Sequence, residues 1–273
     1  MSQRRTFADQ SFAYVFGGLT CLGLLILVGP VLIVLITSFT TSASLRFPPP
    51  ELSFRWYQAL FDTTRSAHIH RAVGNSLWVA SMATLGATSL AVLAALAIGR
   101  SRRPVARALE ASFLSPLILP SLAYGLATLM FFALLGLRPS LTHLIGGHLV
   151  VIAPFVFRTT LATVTQLEPA LLESSASLGA GRFMTFRRIT LPLIAPGIFA
   201  GAFLAFVASM DNVPVSLFLS NARTDMLPIR MWGMMESTLD VRVAAVSGVL
   251  ILAILVLMFV MDRLTGLTRR MSL

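Results

Sequence analysis

Six stretches of this chain, residues 11–45, 72–99, 111–137, 139–157, 189–210 and 243–261, contain no Asp, Glu or Arg, and each is 19 residues or longer. A helix crossing the roughly 30 Å hydrocarbon core of a bilayer needs about 20 apolar residues, so each stretch is long enough to span. Few other arrangements hide that much uncharged sequence. With 56% hydrophobic and only 12% charged residues, the 273-residue chain is far more apolar than a soluble domain, which carries about 25% charge. The composition therefore predicts an all-α membrane protein with six transmembrane helices and a lipid bilayer as its main partner.

All 21 basic residues are Arg. A P-loop holds phosphates with its Lys, and Schiff-base catalysis uses a Lys amine, so the chain supports neither. No H-E-x-x-H, G-x-S-x-G or paired-acid arrangement is present either, and a membrane enzyme has no machinery to point to. The formal net charge of +10 is spread between apolar stretches rather than gathered on one soluble face, which argues against nucleic acid. Cys21 is the single cysteine, so no intrachain disulfide forms, and a small packing residue is the expected role. His68 and His70 alone make a poor metal site, and none is expected. His143 and His148 frame the start of the fourth span with no obvious partner.

The distribution of Arg sets the topology. Arg4, Arg5, Arg100, Arg102, Arg103, Arg107, Arg158, Arg182, Arg187, Arg188, Arg263, Arg269 and Arg270 fall on one side, 13 in all; the other 8 fall on longer loops diluted by acids. The first side, with both termini, is expected to be cytoplasmic. In the long outer loop after the first span, Ser53 is expected to cap a short helix whose Trp56, Tyr57, Leu60 and Phe61 share one face at the membrane surface.

The connection between the fourth and fifth spans, Gln166 to Pro196, is long for an inner loop. Glu168-Pro169 predicts a helix start, Gly179-Ala180-Gly181 a break, and Arg182 onward a second helix before Pro192 and Pro196. Helix, glycine turn, helix is the build of a docking element. Its spacing is also distinctive: Glu173-Ser174-Ser175, three residues, Gly179, nine residues, then Ile189-Thr190-Leu191-Pro192. This resembles the E-A-A loop of binding-protein-dependent ABC importer permeases, with Ser-Ser in place of Ala-Ala. Asn75-Ser76-Leu77, Leu119-Pro120, Leu217-Phe218-Leu219, Leu227-Pro228 and the stretch from Asp240 to Val249 further resemble the spermidine/putrescine branch of that family.

The resemblance implies the type I importer permease fold and a place in the bacterial inner membrane. It divides the chain into an anchor helix and periplasmic loop (1–70), a permease core with five transmembrane helices and a coupling loop at 166–196 (71–263), and a basic cytoplasmic tail (264–273). It implies that Glu173, Ser174, Ser175, Gly179, Ile189, Leu191 and Pro192 couple to a cytoplasmic ABC ATPase dimer. No cofactor is expected in this chain; ATP and Mg belong to that ATPase. A periplasmic solute-binding protein and a second permease subunit, for which the polyamine branch favours a different chain, complete the expected assembly. The substrate expected from the resemblance is a polyamine. Another small solute, such as an amino-acid-like compound, a phosphonate or iron, and an ion-coupled secondary transporter are the alternatives.

Within the fifth span, Asp211 is a carboxylate in the apolar layer, Asn212 follows it, and Pro214 has no N–H for the carbonyl of Met210, so the helix is expected to kink or unwind there. Asp211, Asn212 and Pro214, with Tyr124 of the third span, are candidate pathway or gate residues. The competing readings are that Asp211 pairs with a neighbour to fix the assembly and that Tyr124, with Pro116, Pro120 and Pro154, belongs to kinked packing. Gly197 and Gly201 form a GxxxG spacing suited to close helix approach. Ser42-Ala43-Ser44 looks like a signal-peptidase site, but the apolar stretch before it is far longer than the roughly 7–15 residues of a signal core, so an uncleaved anchor is expected. N-terminal sequencing of the mature protein is expected to start ahead of this stretch; a start near residue 45 would overturn the anchor.

Overall fold

A computed structural model describes residues 7–101, 103–238 and 240–265; Arg4, Arg5, Arg102, Arg269 and Arg270, and nearly all of the 264–273 tail, lie outside the described residues. The described chain is almost wholly helical and divides into two compact units, one of residues up to Ser66 with Met234–Ala253, the other of Ala67–Gly233 with the remainder from Ile254.

The larger unit is built on three helices, α3 (Ala67–Ile98), α6 (Leu141–Thr165) and α9 (Leu191–Met210), which pack on one another pairwise. Numbering in chain order leaves α1 (Phe7–Thr37) and α2 (Arg55–Phe61) before them, and α4 (Pro104–Leu114), α5 (Ser121–Leu134), α7 (Pro169–Ser177), α8 (Arg182–Thr185) and α10 (Val213–Leu219) between and after them. The chain ends in α11 (Leu227–Thr238) and α12 (Arg242–Thr265).

Small residues set how closely the three central helices approach. On α3, Ala72, Ser76, Ala80, Ala83, Ala87, Ala91 and Ala95 are buried at spacings of three or four, which puts them on one face. Ala83, Ala87, Ala91 and Ala95 cluster with Ile152, Ala153, Val156 and Phe157 of α6 and Ala205 of α9. The GxxxG pair of α9 meets α6 directly. A Cβ on Gly201 would lie 2.7 Å from Cα of Val156, and one on Gly197 would lie 2.8 Å from the carbonyl oxygen of Thr159. Thr159 and Thr163 bond their hydroxyls back into their own helix, to Phe155 at 3.1 Å and Thr160 at 2.8 Å, and so bring no unpaired polar group to the contact. Lipid supplies little hydrophobic drive between spans, so this close contact is the main cohesive term.

Five helical stretches are long and apolar enough to cross a bilayer: Tyr14–Thr37, Ala67–Ile98, Leu141–Thr165, the continuous helical stretch Arg182–Met210, and Arg242–Arg263. The expected third span differs. In place of one helix over 111–137, α4 and a short 3-10 turn at Ser115–Leu117 meet α5 at a bend of 103°. The cause is Pro116 and Pro120: Pro120 cannot donate to the ladder and disfavours helical backbone at Leu119, so α5 starts afresh after it. The inner connection is correspondingly shorter than Arg100 to Glu110, because helix already begins at Pro104. Phe113 of α4 stacks on buried Phe157, ring centroids 4.8 Å apart.

In the smaller unit, Thr40 and Leu52 form an antiparallel bridge that closes the loop after α1. Trp56 donates to the Ser42 carbonyl at 3.1 Å, and the Tyr57 hydroxyl meets Ser38 Oγ at 2.8 Å above Gly248 of α12. These bonds tie α2 back to the end of α1. The cap differs from expectation: Phe54 holds the N-cap position and Ser53 Oγ accepts from the Arg55 N–H at 3.2 Å. At the other end of α2 the Thr64 hydroxyl, with the N–H groups of Thr64 and Arg65, holds the Asp62 carboxyl below its ordinary range.

Gly201→Ala is expected to force α9 off α6, because the added methyl meets the Val156 and Phe155 backbone as well as the Thr159 hydroxyl, and to destabilise the protein by about 1–3 kcal/mol. Gly74→Ala in α3, which meets nothing, serves as the control and is expected to be neutral or slightly stabilising in detergent melting.

Candidate functional site: a docking loop and a broken span

The inner loop begins where Arg100, just past α3, donates to the Leu167 carbonyl at 3.1 Å. Pro169 occupies the first turn of α7, where its missing N–H has no partner to lose. Gly179 ends the helix at φ 78°, with its N–H on the Ala176 carbonyl at 2.9 Å and the Ala180 N–H on the Ser175 carbonyl at 3.1 Å. That pair of bonds is a Schellman ending, which needs a left-handed residue at this position. Ser175 is buried and its hydroxyl meets Thr185 Oγ1 at 2.8 Å, linking α7 to α8 across the glycine turn. An alanine at 175 has no such bond to make.

Glu173 and Ser174 are exposed on α7, while Ile189 is half-buried in a π-helical turn, Phe186–Thr190, that joins α8 to α9. Leu191 and Pro192 are exposed at the start of α9. The wide turn immediately precedes Pro192, which cannot donate to the carbonyl four residues back. The helix therefore continues from the loop into the span without a hinge. The loop also leaves apolar groups uncovered: Leu178 is 88% exposed and Phe183 74%.

At the far end of that span α9 stops at Met210. Asp211 holds its C-cap position and is exposed; Asn212 is buried, and its Oδ1 accepts from the Val215 N–H at 3.0 Å to cap α10. Pro214 lies in the first turn of α10. The break thus has two residues, Asp211 and Asn212, between helices. On α5, the Tyr124 hydroxyl donates to the Gly147 carbonyl at 3.2 Å, and a Cβ on neighbouring Gly125 would lie 2.8 Å from the Pro214 carbonyl oxygen. Tyr124, Thr128, Phe131, Phe132, Gly147 and Val150 line an apolar groove of about 320 Å³, and Asp211 lies outside it.

His148 of α6 is the feature with no sequence signal. It is fully buried, with Nδ1 2.8 Å from Ser209 Oγ and Nε2 3.3 Å from Ser216 Oγ. Its partners are 61 and 68 residues away, so no local spacing announces them. His143 instead meets the Ser140 hydroxyl at 2.7 Å and packs on Phe132. Beyond α10, Asn75 donates to the Asp225 carbonyl at 2.9 Å, Ser76 Oγ accepts the Leu227 N–H at 2.8 Å, and Arg230 pairs with Asp225. The short motifs at 75–77 and 227–228 are thus the two sides of one contact.

The chain is similar in sequence and in fold to known proteins. The profile of the binding-protein-dependent transport system inner membrane component matches residues 87–270. The chain is 28% identical over 230 residues to the spermidine/putrescine transport system permease protein PotC of Escherichia coli K12, covering 84% of this chain and 85% of that protein. It is 27% identical over 252 residues to the putrescine transport system permease protein PotI of the same organism, covering 88% and 86%. In fold it is similar to a bacterial ABC transporter involved in the import of the acidic polysaccharide alginate, at TM-score 0.73 and 18% identity, covering 96% of this chain and 99% of that one. With the profile matching about two-thirds of its length, on helices that carry both the inner loop and the broken span, the chain belongs to the inner-membrane component family of binding-protein-dependent transport systems.

Proposed function

We propose that this chain is one permease subunit of an ATP-driven importer for a polyamine-like cation, with the loop from Glu173 to Pro192 docking on a cytoplasmic ABC ATPase dimer that binds ATP and Mg. The likeness to PotC over 84% of the chain carries this reading. An exposed carboxylate at a helix break, within otherwise apolar sequence, adds to it, since an amine cation is the solute such a group attracts. A periplasmic binding protein delivers the solute, a second permease chain of different sequence completes the pathway, and both termini lie on the ATPase side, where the Arg-rich segments are.

Supporting the docking role, Leu178 and Phe183 stand exposed on a loop whose own turns are pinned by the Gly179 ending and the Ser175–Thr185 bond. An uncovered apolar pair on a stiff element suits insertion into a partner's groove. The π turn and Pro192 continue the helix from loop to span, so a rigid-body push at the loop moves α9. Asp211, Asn212, Pro214 and Tyr124 form the gate region in this reading.

In proteoliposomes holding the assembled transporter and its binding protein, ATP-dependent uptake of labelled spermidine or putrescine is expected, and Asp211→Asn is expected to abolish it while the ATPase still co-purifies. Uptake of an anionic or neutral solute in place of the amines would sink the polyamine reading; undiminished uptake by the variant would remove Asp211 from the pathway. Gly179→Ala meets no neighbouring atom, so its whole effect is the left-handed backbone, about 1–2 kcal/mol. It is expected to lower ATPase recovery on the purified permease and to leave the melting of the helical core unchanged.

A further inference from the structure

Two residues, Asp211 and Asn212, link α9 to α10; the Asn212 N–H reaches the Ser209 carbonyl at 3.3 Å and the Val213 N–H the Asp211 carbonyl at 2.9 Å, but the bond that would have crossed from residue 214 is missing because Pro214 has no N–H. These short bonds leave the angle between the helices to longer-range contacts. We propose that His148 is the positioning residue: one imidazole, reaching in from α6, pins both sides of the break and thereby sets where Asp211 sits. The proposal rests on reading Asp211 as a pathway group.

Ser209, on the Nδ1 side, lies in the last turn of α9; Ser216, on the Nε2 side, lies on α10. A neutral imidazole offers one donor and one acceptor, and a serine hydroxyl serves as either, so both neutral tautomers satisfy both contacts. His148 and Ser216 have no exposed surface and Ser209 is 1% exposed, so water does not replace a lost bond. If the break flexes far enough to separate Ser216 from the ring, a buried nitrogen and a buried hydroxyl are stranded together. Intermediate angles are disfavoured for that reason, and the break should occupy discrete angles rather than a continuum.

A histidine satisfied within one helix pair would be ordinary core chemistry. This one differs because its partners lie on opposite sides of a discontinuity. The neighbouring backbone supports the arrangement: Gly147 brings α6 close to α10, since a Cβ there would lie 2.7 Å from Leu219 Cδ1 and 3.0 Å from Val215 Cγ1. Gly201 of α9 contacts α6 at Val156, so one helix braces both halves of the broken span. Its histidine is the polar group that registers them.

Cys21 is the only cysteine, so Cys21→Ser gives a background in which Leu204→Cys and Leu217→Cys, at exposed positions of α9 and α10, carry a pair of spin labels. In the assembled transporter a narrow distance distribution is expected, and Ser216→Ala or Ser209→Ala, which remove one hydroxyl without adding volume, are expected to broaden or shift it. The same variants should cut the maximal rate of labelled polyamine uptake at least tenfold, leaving the half-saturating concentration and ATPase co-purification unchanged. An unaltered distribution in both variants overturns the inference, as does a lost rate with an unaltered distribution. If Asp211→Asn transports normally while the serine variants broaden the distribution, the clamp stands and the pathway reading of Asp211 falls. If Asp211→Asn is inactive while the serine variants leave distances and rates alone, the reverse holds.

Discussion

The backbone-close contact of α6 with α3 and α9 is the interaction on which the rest of this structure depends. Apolar side chains are as comfortable in lipid as against each other, so a bundle of Leu-rich spans has little reason to adopt one arrangement. What selects one here is the absence of side chain: the alanine face of α3 and Gly197 and Gly201 of α9 let α6 lie against their surfaces. α6 is then fixed on two sides, and it is the helix that presents Gly147 and His148 to α10. The close contact comes first; the polar geometry at the broken span is possible only because of it.

Prolines take the complementary role. Pro120 and Pro214 each stand where the helix ladder has been interrupted, and in both places the chain changes direction while the carbonyls left behind are confined to a break or a turn. Pro192 and Pro196 do not interrupt, because the first lies in the opening turn of α9, just after the π turn, and the second within a helix already packed on α6. The same residue type therefore ends two helices and is absorbed by a third. Which outcome occurs depends on packing as much as on the missing donor.

That distinction also explains how far the sequence could be read. Five of the six long apolar stretches, the helix, glycine turn and helix of the inner loop, and the GxxxG contact are local patterns, and each stands in the structure close to the expected residues. The break after Met210 was legible from Pro214 for the same reason. The third span was not: two prolines announce a disturbance, but the 103° direction follows from what α4 and α5 each pack against. His148 was illegible because a histidine 61 residues from one partner and 68 from the other looks the same as an idle one. Within the Ser-Ser departure from the family pattern, Ser175 is buried and bonds Thr185, whereas Ser174 does not share its burial. Two adjacent residues of one type thus separate into a structural and a surface position only once the turn between α7 and α8 is closed.

The arrangement has a mechanical consequence for the proposed transport cycle. From Arg182 to Met210 the helix is unbroken, so force applied at the loop reaches the residue before Asp211 without a joint to absorb it. The joint lies instead at Asp211 and Asn212, where two residues separate α9 from α10 and where the Asn212 cap and His148 add side-chain restraints to the short backbone bonds. A lever with its stiffness in the shaft and its freedom at one end converts a small displacement into rotation at that end. The Asn212 side chain caps α10 while its N–H reaches back to the Ser209 carbonyl of α9 at 3.3 Å, and His148 belongs to α6, outside both halves. Of the two side chains, the histidine is the one that contacts both halves, and the position of the exposed carboxylate between them follows from whether the histidine's two bonds are made.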